Sequence, residues 1–150
     1  MLSYKRVVFS ALLILVIFMG GAIWYCASVS LKAEYSLHAS LFVIELVNDH
    51  ITSRNGEWPK SWKDLEELPA RNCGMFQWPQ DSGKIQAIVF VDFEVDPKVL
   101  TNEPNEQFSA IRPRGPCYPY THYSQLEELL STVREYHGNL STNCRIEPLH

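Results

Sequence analysis

The sequence predicts an α+β fold carried on a long N-terminal transmembrane helix, with a small antiparallel sheet and a C-terminal helix beyond it. Three observations lead there. Residues 7–29 are apolar and carry no charge; apolar residues then continue at helical spacing to about Ser53; and residues 85–95 alternate strictly before a second helical pattern begins near residue 125. Hydrophobic residues make up 46% of the chain and charged ones 20%, which is enough apolar material for a packed core and excludes overall disorder.

At about 1.5 Å of rise per residue, a helix over residues 7–29 reaches roughly 35 Å, enough to cross a hydrocarbon core of about 30 Å. Lys5 and Arg6 precede it, whereas Lys32 on the other side is answered by Glu34. Basic flanks stay in the cytoplasm. The expected topology is therefore single-pass in the cell membrane: residues 1–6 cytoplasmic, 7–29 spanning, 30–138 a domain in the periplasmic or extracellular space, and 139–150 a mobile tail. Trp24 and Tyr25 would lie at the outer interface. A competing reading is a cleaved signal peptide with Ser28-Val29-Ser30 at the cleavage site, releasing a soluble secreted domain.

Beyond the anchor about 120 residues remain, the commonest size of one domain. Of the 13 basic residues, all but Lys5 and Arg6 lie in this part against 17 acidic ones, a net charge of −6. No cluster of Lys and Arg offers itself to a phosphate backbone, so nucleic acid is not expected as a partner.

Leu37, Leu41, Ile44, Val47 and Ile51 form the apolar stripe of the first helix, whose one weak point is Gly20-Gly21. Asn55-Gly56 supplies its stop. Ser61 and Asp64 make a capping-box start for a short helix that turns Trp62, Leu65 and Leu68 inward and ends at Pro69. Residues 70–83, with Cys73-Gly74 and Asp81-Ser82-Gly83, read as loop.

Over residues 85–95 every odd position is apolar, so a strand is expected with that face on the core and with Asp92, Glu94 and Asp96 on the other. A second strand follows near residues 107–112. Residues 112–120 contain three prolines and read as an extended surface loop. Ser124 and Glu127 suggest a second capping box, opening a helix to about Gly138 with Leu126, Leu129, Leu130 and Val133 buried.

A long N-terminal helix, half in the membrane and half under a small antiparallel sheet, followed by Gly-x-Trp-Pro-x-Ser-Trp-x-Asp-Leu over residues 56–65, resembles type IV pilins and the pseudopilins of type II secretion. The resemblance covers the plan of residues 7–95. It implies a membrane-anchored domain that assembles with other proteins. Arg6 stands where that family is processed after a glycine, and residues 7–29 lack the family's early glutamate. The resemblance therefore carries over no functional residue, and suggests a pilin-like domain kept as a plain membrane-anchored protein.

Cys73 and Cys117 both fall in loops of a non-cytoplasmic domain, where a disulfide between them would persist; Cys144 lies in the tail and Cys26 in the apolar helix. Cys73, Cys117, Cys144 and His122 could be zinc ligands, and Cys117 with His122 a nucleophile and base, yet no paired spacing or family signature surrounds them. Asp92, Glu94 and Asp96 could bind a hard cation, with a solvated strand face as the plainer reading. Arg112, Arg114, Tyr118, Tyr120 and Tyr123 form the candidate surface for a protein partner, because Arg and Tyr are enriched at binding hot spots; the plainer reading is that the tyrosines cover the core edge. Asn139-Leu140-Ser141 fits a glycosylation acceptor. No cofactor signature is present. The leading expectation is a non-enzymatic envelope protein with a small interaction domain, in a pilin-like or secretion-associated assembly, and the rival is a metal-binding or hydrolytic domain built on Cys and His.

Overall fold

The computed structural model describes residues 2–138. The expected tail, Cys144 and the Asn139 triplet lie outside the described residues. Helix α1 (Leu2–Ser53) is continuous through Gly20-Gly21. Its two halves differ sharply. In the first, large apolar side chains stand exposed, Phe18 and Trp24 each at 78%. In the second, residues 39–44 are all buried in succession, so the helix is enclosed on every side, as one apolar all round must be. Ser40 is accommodated there because its hydroxyl donates to the Ser36 carbonyl at 2.9 Å.

The helix stops as its sequence requires. Asn55 and Gly56 take positive φ, 52° and 92°, and the Gly56 N–H donates to Ile51 O at 2.8 Å, a Schellman-type closure. Helix α2 (Trp62–Glu66) follows. The Asp64 carboxylate accepts from the N–H groups of Lys60 at 2.7 Å and Ser61 at 3.1 Å, the acidic half of the expected box. Leu65 is fully buried, while Trp62 and Leu68 are half-buried at the core edge.

Residues 70–83 are not all loop. Strands β1 (Arg71–Cys73) and β2 (Phe76–Trp78) form an antiparallel hairpin in which Cys73 faces Phe76. Gly74 supplies the positive φ of its two-residue turn. The hairpin delivers Phe76 and Trp78 to the core. Phe76 stacks on Phe42 of α1 at 5.9 Å between ring centres, and Trp78 meets the same ring edge-on at 6.1 Å.

The strand expected over residues 85–95 is a correction. Helix α3 (Ser82–Ile88) occupies its first part, and only β3 (Val89–Val91) is strand. Ile85, Ile88 and Val89 also fit helical spacing, and a short apolar run satisfies both periods. The partner strand is shorter and later than expected: β4 (Ile111–Pro113) pairs antiparallel with β3, Val91 facing Ile111 and Val89 facing Pro113. Part of the proline-rich stretch is thus in the sheet, with Pro113 at the last pair of the ladder. Between the two strands lie α4 (Pro97–Leu100) and a 3₁₀ turn (Asn105–Gln107).

Helix α5 (Ser124–His137) lays Leu126, Leu129, Leu130 and Val133 on α1, all buried. Its expected capping box does not form: Ser124 is the first helical residue, Tyr123 holds the cap position, and no side chain caps the N-terminus. One core thus joins α1, α5, both small sheets and α3. Two-stranded sheets are marginal alone, so the packed helices hold these two in place.

Candidate interaction surface

After β4 the chain returns to α1 at the level where the apolar stretch ends. Tyr118 Oη donates to Ser30 Oγ at 3.1 Å. The guanidinium groups of Arg112 and Arg114 lie over the Phe90 ring of β3, 4.6 and 5.5 Å from its centre, so both cations are held on the outer face of the sheet while remaining exposed. Tyr118 and Tyr123 are exposed as well, at 45% and 39%.

Tyr120 does not belong to that surface. It is buried, and its hydroxyl donates to Ile111 O at 2.6 Å. Burial pushes its phenol up to about 12, with the Cys117 thiol adding to the rise. The tyrosine is spent on closing the loop over β4, which corrects the expectation that it contacts a partner.

The cysteine expectations change in the same way. Cys73 and Cys117 are both free thiols, so the expected bridge is not made; one ends β1 at the hairpin turn and the other sits in the loop beside Tyr118. Cys117 Sγ donates to Tyr118 O at 3.1 Å, and burial pushes its thiol up, the opposite of what a thiolate nucleophile needs. His122 is exposed in the turn before α5. Among the described residues, no three His, Cys, Asp or Glu side chains gather as they would around a metal ion.

Asp92, Glu94 and Asp96 do not share a strand face, because the strand ends at Val91. Asp92 Oδ1 accepts from the Glu94 N–H at 3.0 Å. Asp96 caps α4 by accepting from the Lys98 N–H at 3.0 Å. The Asp92 and Asp96 carboxylates thus serve local turns.

A second concave region was not legible as a site. His50 of α1 is buried, and its Nδ1 has no hydrogen-bond partner. It borders a cavity of about 190 Å³ shared with Arg54, Glu57, Trp58, Lys60 and Asp64. Burial lowers the His50 pKa, with Asp64 opposing that shift and Arg54 reinforcing it. Its signal in the sequence was its place on the apolar stripe, four residues after Leu46 and three after Val47. Two ion pairs lie around it, Arg54 with Glu67 at 3.0 Å and Lys60 with Glu57, while the Asp64 carboxylate accepts from backbone N–H groups.

A further concavity is a groove of about 580 Å³ at the base of the domain. Leu31, Lys32 and Tyr35 of α1, Ile88 of α3, and Arg114 and Pro116 of the loop after β4 line it. No family model, curated protein or solved structure matches the chain.

Proposed function

We propose that this chain is a single-pass membrane-anchored protein whose outer domain is a non-enzymatic interaction module, held against the bilayer by the helix that forms its core. One observation carries the reading: α1 is a single helix whose first half exposes its large apolar side chains and whose residues 39–44 are buried on every side. A soluble protein seldom leaves so large an apolar surface in water, whereas a bilayer covers it at no cost. Trp24 and Tyr25, exposed at 78% and 69%, suit the interfacial level at the far end of the span.

The exposed side chains of Arg112, Arg114, Tyr118 and Tyr123 supply the surface for a protein partner. The plan of a half-inserted, half-packed N-terminal helix supports a pilin-like or secretion-associated setting. Expression of the full chain, alkaline extraction of membranes and mass measurement of the product test the reading. An unshortened chain that stays with the membrane is expected; a soluble product lacking residues 1–30 overturns the anchor.

A further inference from the structure

The groove at the base of the domain combines two properties that seldom meet by accident: apolar walls and a pair of cations. Leu31, Tyr35, Ile88 and Pro116 make the walls, and Lys32 from α1 and Arg114 from the loop after β4 both line it. Both cations are exposed, and no carboxylate of the described residues lines the groove or forms an ion pair with either of them. They stand out against a domain whose net charge is −6.

Their depth matters as much as their charge. Residues 31–36 follow the apolar stretch directly, so at about 1.5 Å per residue they lie roughly 3–10 Å beyond its end. That is the level of the phosphate headgroups, which add about 5–8 Å on each side of the hydrocarbon core. The Tyr118–Ser30 hydrogen bond fixes the opposite wall at the same level.

We infer that this groove is a binding site for one anionic phospholipid of the leaflet next to residue 30, its phosphate between Lys32 and Arg114 and the start of an acyl chain along Leu31, Tyr35 and Ile88. A cation pair recognises the phosphate, while the apolar walls replace the lipid's own neighbours. The cavity volume falls within the range of small-molecule sites, about 300–1,000 Å³. This site rests on the anchored reading and names a lipid partner for the base of the domain.

The test is native mass spectrometry of the full chain released from detergent micelles containing equimolar phosphatidylglycerol and phosphatidylcholine, beside flotation with vesicles of phosphatidylcholine alone. The expected result is one retained phosphatidylglycerol in preference to phosphatidylcholine. That preference falls by about fivefold for each cation removed in Lys32→Gln and Arg114→Gln. Ala87 of α3 also lines the groove, and the preference falls as well in Ala87→Phe, which fills the groove without touching charge, while each variant keeps the wild-type unfolding midpoint. Equal retention of the two lipids, or a preference unchanged in the double Gln variant, overturns the site. Failure to float with phosphatidylcholine vesicles marks instead a failure of the anchor.

Discussion

A Cβ built on Gly56 would stand 2.8 Å from Tyr136 Cβ, so α5 closes directly over the stop of α1. Gly56 also holds φ at 92°, where an L side chain is strained. Gly56→Ala should therefore cost about 2–4 kcal/mol, the left-handed penalty and the overlap together. Gly74 has φ 54° with nothing within 4 Å of the built Cβ, so Gly74→Ala should cost only about 1–2 kcal/mol. Urea unfolding of the detergent-solubilised chain compares the two.

Trp78 is buried against Phe42, and its indole N–H donates to Leu65 O at 3.0 Å. Trp78→Ala should cost about 3–5 kcal/mol by loss of burial and the cavity left. Leu65 O also accepts from the Leu68 N–H, so it is not orphaned when the indole goes. Trp78→Phe should accordingly cost about 1–2 kcal/mol, and equal losses in the two variants would contradict this packing.

His50 is held neutral by burial, its pKa below the ordinary 6.5. The unfolded chain then takes up the proton first as pH falls. Stability from this residue is complete above about 6.5 and declines as pH drops below that value towards the lowered folded pKa. Unfolding free energies at pH 8 and 5 should show a smaller loss in His50→Leu than in the wild type.

Tyr120 titrates in the other direction. Its folded pKa of about 12 exceeds the unfolded 10.0, so the unfolded chain loses its proton first. The stability it contributes is present below pH 10 and is lost as pH rises from 10 towards 12. Tyr120→Phe removes the 2.6 Å bond to Ile111 O, should cost about 1–2 kcal/mol at neutral pH, and should flatten the alkaline loss seen by ultraviolet titration and unfolding.

Local signals were legible wherever they were redundant. The stop of α1 carried both Asn55 and Gly56, and α5 carried four apolar residues on one stripe. Leu37, Leu41, Ile44, Val47 and Ile51 are buried as their spacing required. Ambiguity began where a run was short. Residues 85–91 satisfied two periods, and the hairpin of β1 and β2 hid in a stretch with too few apolar residues to show alternation. The candidate surface was half legible: composition marked Arg112 to Tyr123, but could not tell that Tyr120 turns inward to Ile111 while Tyr118 turns to Ser30.

Residues close along the chain are enough to set the long apolar helix, its continuation into the domain, its stop and the C-terminal amphipathic helix. Tertiary structure decided the rest. It ended the strand at Val91, which took Asp92, Glu94 and Asp96 off a common face. It also brought Lys32 and Arg114 to one groove across more than half the chain. Such meetings depend on which elements pack together, and that is a balance of burial over the whole core that no local pattern records.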